Sequence, residues 1–159
     1  MATTAFQLLN PQDALIDGTQ ILKSDVSSPI NGMAVKLSSG YLITATDHVS
    51  HGLLCEIDQR GVTPWSLYDR TDANDLTDWL GKKVGVLKKG LVRLPAASVV
   101  AGAGTLAVGS KVESVSGGTY AATAATVGVG TIYRLAEADK EADTFTDVYF
   151  DFTGGAVAT

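Results

Sequence analysis

The sequence predicts a mainly β protein: an antiparallel β-barrel or β-sandwich with one short helix at about residues 72–80 and an extended N-terminal arm. Apolar side chains alternate with other side chains in residues 32–37 and 145–152, which is the period of a half-buried strand. Short candidate strands follow one another across brief Gly- and Ser-containing turns, as in a β-meander. Helical spacing is confined to one short stretch.

Size and charge limit the class of protein. The chain has 159 residues, with 12 Lys and Arg against 17 Asp and Glu and a net charge of −5. This length suits one domain with its own core, so we expect an arm at 1–18 and a single β-rich domain at 19–159, with an insert at about 62–81. The hydrophobic fraction of 45% excludes disorder over most of the chain. Because the chain is acidic and has no long apolar run, we expect neither nucleic acid nor a membrane as partner.

The N-terminal arm is uncharged over residues 1–12 but carries Phe6, Leu8 and Leu9. Two arrangements remain open: these side chains bind a neighbouring molecule, or they fold back on the core of their own chain. The arm has neither a basic segment nor a cleavage pattern, so no signal peptide is expected.

The first half of the domain contains four candidate strands. They lie at residues 19–24, 32–37, 40–46 and 51–58 and are separated by turn residues. Cys55, the single cysteine, has apolar neighbours and is expected to be a small buried hydrophobic residue.

The insert at 62–81 interrupts the strands. Its aspartates recur every three residues over 69–78, a spacing that predicts a short helix with acidic residues near its N-terminus. Leu76, Trp79 and Leu80 form its apolar stripe. A calcium loop needs ligands at alternating positions, a central glycine and a final glutamate, so calcium is not expected.

Residues 82–95 hold the basic cluster of the chain, in which two lysine pairs flank a short apolar strand. Gly90 is expected to form a bulge or tight turn within it. Phosphate-binding patterns are missing. Two readings therefore stay open: lysines that protect a sheet edge, or lysines that attract an acidic protein partner.

Residues 96–131 are rich in Ala, Gly, Val, Thr and Ser, and Lys111 and Glu113 are their only charged residues. Such a surface suits contact with another copy or a larger assembly, or else a thin layer of a sandwich. Residues 121–138 read as one long strand. Its expected core residues are Val127, Val129 and Ile132, and those of the final strand are Val148, Phe150 and Phe152.

Catalytic motifs are not evident in the sequence. His48 and His51 are three residues apart, with Asp47 beside them, but the segment reads as a polar turn between strands. No nucleophile stands at a spacing that favours an adjacent base. We therefore expect no enzyme activity, no catalytic residue, no metal and no cofactor.

The succession GMAVKLSSGYLITAT, GLLCEIDQRG, the small-residue region from KKVGVLKKGLVRLP to TIYRLAEA, and TDVYFDF resembles the capsid decoration, or cement, proteins of tailed bacteriophages. The resemblance covers about residues 32–152 and is one of pattern; the acidic insert departs from it. It implies a β-rich oligomer, favouring a homotrimer with a dimer as the alternative. It also implies binding to the major capsid protein on the outer surface of the virion after synthesis in the host cytoplasm.

Several residues are predicted to contact the partner because they are apolar or basic and lie in the arm, the insert or the lysine cluster. They are Phe6, Leu8, Leu9, Trp65, Trp79, Lys82, Lys83, Lys88 and Lys89. The alternatives are another virion β-module, such as a tail or head-fibre component, and a small enzyme or binding domain that uses His48 and His51.

Overall fold

The computed structural model describes residues 6–56, 75–136 and 144–153, which form one twelve-stranded mixed sheet. The strands are β1 (Gln7–Leu8), β2 (Leu15–Asp17), β3 (Ile21–Leu22), β4 (Ala34–Ser38), β5 (Tyr41–Thr44), β6 (Gly52–Leu54), β7 (Val86–Pro95), β8 (Val99–Ala101), β9 (Lys111–Ser114), β10 (Tyr120–Thr123), β11 (Gly130–Leu135) and β12 (Phe145–Asp151). Two pairs are parallel, β3 with β5 and β8 with β10, and the others are antiparallel. The predicted mainly β class is confirmed. The barrel is wrong, because the strand order is open and ends at β3 and β8.

Strand β7 joins the two limbs of this sheet. One limb runs β6, β4, β5 and β3, and the other runs β12, β11, β9, β10 and β8. The limbs face each other across a shared core, and hydrogen bonds cross between them. The Tyr120 hydroxyl donates to the carbonyl of Gly32 over 2.9 Å, and the Ser114 hydroxyl donates to the carbonyl of Asp47 over 2.8 Å.

Two hydrophobic clusters form the core. The larger lies between the limbs and contains Tyr120, Phe150 and Phe152, whose rings pack in sequence at centroid distances of 4.8 and 5.4 Å. The smaller lies on the first limb, around Leu22 and Leu54. Burial of such apolar surface is the main favourable term in folding.

The predicted N-terminal arm is not extended over the described residues. Residues 6–17 fold back on their own chain, because β1 and β2 both pair with β7. Phe6 is 9% exposed and belongs to the larger cluster, beside Leu94 and Gly32. Gly32 has a φ of 92°, and a Cβ there would lie 2.7 Å from Leu94, so the contact requires glycine.

The predicted helix at 72–80 is also corrected. Among the described residues there is no α-helix, and this stretch contains one 3₁₀ turn, Thr77–Trp79. Asp75 forms a bridge with Ile30, and the Leu76 N–H donates to the carbonyl of Pro29. Since this backbone is already bonded to another segment, helix geometry cannot propagate through it. Residues 57–74, including most of the predicted insert, lie outside the described residues.

Three smaller predictions need correction. Gly90 lies inside β7 opposite Phe150 and forms no turn there. The single strand predicted at 121–138 is two strands, β10 and β11, separated by a turn. That turn exposes Val127 (60%), whereas Val129 and Ile132 are buried as expected. The prediction for Cys55, by contrast, is confirmed: the residue is buried, and burial raises the pKa of its thiol to about 12.

Candidate functional site

The sheet forks at Lys88, and this fork creates a groove. Val86 and Lys89 both pair with β2 on one edge of β7, so β6 and β12 share the other edge. On that edge the pairing of β6 ends at Leu87, and the pairing of β12 ends at Lys89. The register shift in the β2–β7 pairing falls at the same place and is typical of a β-bulge. The two limbs therefore diverge at Lys88.

The opening between the limbs, which we call the fork groove, has a volume of about 560 Å³. Its lining combines apolar with basic and hydroxyl side chains: Lys36, Leu37, Val49, Ser50, His51, Lys88, Phe152 and Thr153. This volume lies within the range of small-molecule sites, which combine apolar walls with a few convergent polar groups.

Lys88 and His51 are joined at the floor of the fork groove. The Lys88 Nζ donates to the backbone carbonyl of His51, whose N–H donates to the carbonyl of Val35 over 2.7 Å. Burial lowers the pKa of Lys88, against the opposing charge of Asp17. Burial, and then the charge of Lys88, lower the pKa of His51, while Asp17 acts in the opposite direction.

Two polar atoms at the fork groove are buried without a hydrogen-bond partner, the Ser50 Oγ and the His51 Nε2. Ser50 is 6% exposed. Most buried polar atoms in folded proteins are hydrogen-bonded, so two orphaned atoms on neighbouring residues distinguish this part of the described structure.

A second feature, which we call the β8 surface, lies at the other end of the sheet. It comprises the exposed residues of β8 and of the two loops beside it: Val100, Ala101, Gly102, Ala103, Thr105, Val108, Gly109, Ala124, Ala125, Thr126 and Val127. No charged residue occurs in 96–110 or 115–129. The loops are adjacent, since the Gly104 N–H donates to the carbonyl of Ala122 at the end of β10. Strand β8 ends the strand order, so no strand covers its outer edge in the described part of the chain.

The structure does not bring the predicted contact residues together. Phe6 is buried, Leu8 packs on the larger cluster, and Leu9 is 37% exposed. Trp79 packs on the smaller cluster, and Trp65 lies outside the described residues.

The lysine cluster is divided between two places. Lys82 and Lys83 are exposed ahead of β7, Lys89 is exposed on that strand, and Lys88 faces the fork groove. Lys88 and Lys89 do not protect a sheet edge, because the strand that carries them, β7, is paired on both sides.

The histidine pair does not form a metal site in the described residues. His51 lines the fork groove and His48 does not, and no group of three potential metal-ligating residues was found across 6–56, 75–136 and 144–153. Sequence reasoning missed Ser50, because a serine in a polar turn carries no distinguishing pattern. The signal that was present is Lys88, a basic residue directly after the apolar Val86 and Leu87 of β7.

Comparison with protein-family models, with curated proteins and with solved structures gives no match for this chain. None of the helices in the described ranges has the length and apolarity needed to cross a membrane.

Proposed function

We propose that this chain is a structural protein of a bacteriophage virion, which binds the outer surface of the assembled capsid and cements neighbouring major capsid subunits. The observation that carries the proposal is the β8 surface. Its three valines are exposed to solvent: Val100 is 46% exposed, Val108 65% and Val127 60%. Uncharged, partly apolar surface of this kind is typical of protein contact sites. The pattern resemblance over about residues 32–152 supplies the kind of partner.

The open edge of β8 suits a contact between proteins. An edge strand presents unpaired backbone N–H and C=O groups, to which a strand of a neighbouring molecule can be added. Small side chains on both sides, such as Ala101 and Ala103, allow close approach of that strand. Major capsid protein and a second copy of this chain are the proposed partners, with a homotrimer favoured.

Stabilisation of the capsid would follow from preferential binding to its assembled form. A protein that binds assembled capsid better than free subunits stabilises the assembled form. Many copies on one particle raise the effective concentration of each contact, so a modest interface suffices.

Co-sedimentation with capsids tests the proposal. The purified chain should sediment with assembled capsids of the virus that encodes it and remain in the supernatant with dissociated capsid subunits. A Val108→Asp, Val127→Asp double variant should bind at least tenfold more weakly, because it places two charges on the contact surface. Leu15→Asp is the matched control, since Leu15 is 53% exposed on β2, which pairs with β7, five positions from β8 in the strand order.

Two results would contradict the proposal: equal binding to assembled and dissociated capsid protein, or wild-type binding by the double variant. Light scattering then separates the virion alternatives. A closed trimer or dimer agrees with a cement protein, whereas rings or long stacked tubes would favour a tail component.

A further inference from the structure

The fork groove carries a separate inference, which does not depend on capsid binding. Its distinguishing feature is the pair of orphaned atoms, because buried hydroxyls elsewhere in the sheet are satisfied. The Tyr120 hydroxyl donates to Gly32, and the Ser114 hydroxyl donates to Asp47. At the fork groove, by contrast, the hydroxyl of Ser50 and the Nε2 of His51 have no partner. A buried polar atom without a partner is unfavourable, and a ligand that supplies one is correspondingly favoured.

The polar groups of the fork groove are matched to an anion. The lysine ammonium is a donor only, the serine hydroxyl can donate or accept, and the imidazole Nε2 donates when it carries the ring proton. The Lys88 ammonium donates to the His51 carbonyl but carries three donors, so it retains capacity for a ligand oxygen. Lys36 adds a second cation, which is shared with Asp47 at 3.6 Å. Carboxylate oxygens bind such donors more strongly than neutral acceptors do.

The rest of the lining is apolar. Leu37, Val49 and Phe152 provide hydrocarbon surface in the same groove, so the ligand must have an apolar part attached to its anionic group. A volume of about 560 Å³ accommodates a short acyl chain or an aromatic ring beside a carboxylate.

We propose that the fork groove is a binding site for small amphipathic carboxylates, in which Lys88 provides the charge and Ser50 and His51 provide hydrogen bonds. The apolar part of the ligand contacts Phe152 and Leu37. Both atoms are shielded from solvent in this conformation, so binding requires a change of side-chain rotamer at Ser50 and His51.

Titration with hexanoate, followed by NMR of the imidazole protons, tests the site directly. The chain has two histidines, so a His48→Gln variant leaves the signals of His51 alone. Hexanoate should shift these signals saturably and raise the pKa of His51, because a nearby carboxylate favours the imidazolium form. 1-Hexanol, which has a similar chain without the charge, should bind at least tenfold more weakly. Inorganic phosphate, which lacks the apolar part, should do the same.

Matched variants assign the roles. Lys88→Met should weaken hexanoate binding about tenfold, as expected for loss of one charged hydrogen bond, while Lys89→Met on the exposed side of the same strand should have no effect. Ser50→Ala should weaken binding several-fold without lowering the melting temperature, which separates a ligand role from a structural one.

Three outcomes would overturn the proposal. They are the absence of a saturable response to hexanoate, equal binding of hexanoate and 1-hexanol, and wild-type affinity in both Lys88→Met and Ser50→Ala. If Lys88→Met fails to fold, Ser50→Ala and the 1-hexanol comparison still decide.

Discussion

Strand β7 has two polar regions that differ in how well their groups are satisfied. At one end, the Arg93 guanidinium donates to both carboxylate oxygens of Asp147 over 2.8 and 3.0 Å and lies 3.7 Å from the ring centroid of Phe145. At the other end, Lys88 faces a groove in which Ser50 and His51 have orphaned polar atoms. The same strand thus has one region in which the polar groups are paired with each other and one in which some polar atoms have no partner.

Strand register explains the difference. Arg93 lies directly opposite Asp147 because β12 is paired with β7 along this whole region. The regular ladders of β6 and β12 end on either side of Lys88, at Leu87 and Lys89, so no strand places a side chain directly opposite that of Lys88. A polar group beside a continuous ladder is satisfied from within the fold, whereas one at a fork remains available for a ligand.

Removing one member of the Arg93–Asp147 ion pair should have the largest effect on stability. Arg93→Met removes the guanidinium that donates to both oxygens of the Asp147 carboxylate, which is 2% exposed, and we expect it to lower the free energy of unfolding by about 3 kcal/mol. Urea unfolding measures this as a fall in the midpoint at constant slope. Lys89→Met, the exposed control on the same strand, should change stability by less than about 0.5 kcal/mol. Equal effects of the two variants would show that the pair contributes nothing specific.

Tyr120→Phe tests a second satisfied group, the hydroxyl that links the two limbs. The substitution keeps the ring, which packs against Phe150, but leaves the buried carbonyl of Gly32 without its donor. The expected loss is about 1–2 kcal/mol, also by urea unfolding. The control is Tyr149→Phe, which removes the same hydroxyl at a half-buried position on β12. A loss no larger than that of Tyr149→Phe would mean that the bond is not stabilising.

The sequence was sufficient for the mainly β class and for most of the strands, because alternation directly reflects a half-buried face. The final strand shows where this reasoning ended. Val148, Phe150 and Phe152 are buried as predicted, but Asp147 is buried too. Its partner Arg93 is 54 positions away in the sequence. Pairing at that distance depends on strand order, which periodicity does not contain.

The fork groove could not be predicted from the sequence for the same reason. Its residues come from four separate segments, and they meet only because β6 and β12 occupy one edge of β7. The prediction of an extended N-terminal arm was wrong for a different reason. Its apolar residues were recognised, but composition alone did not distinguish contact with a neighbour from contact with β7. Gly32 decides this in part, since the space over its missing Cβ is occupied by Phe6 and Leu94.

At the fork groove, deletion of an orphaned polar atom should not reduce the stability of the fold. Ser50→Ala removes a buried hydroxyl that has no partner, so we expect the free energy of unfolding to stay equal or to rise by up to about 1 kcal/mol. Thermal and urea unfolding without ligand provide the measurement. Ser114→Ala is the matched contrast, because its hydroxyl is bonded to Asp47 and its loss should destabilise. A destabilised Ser50→Ala would indicate that the hydroxyl is satisfied in solution and that the region is closed after all.

The smallest expected effect is a pH dependence from His51. Its pKa in the folded protein lies below the ordinary 6.5, because burial and the charge of Lys88 disfavour the imidazolium more than Asp17 favours it. The unfolded chain therefore binds more protons as the pH falls below 6.5, and stability is lost through that window. The aspartates with lowered pKa values, including Asp17, act only near and below 3.8, so the two windows are separate. Urea midpoints between about pH 5 and 7 should fall with acid more steeply in wild type than in His51→Gln. Parallel curves would mean that His51 is protonated without penalty in the fold, and hence that the fork groove is already hydrated and polar rather than awaiting a partner.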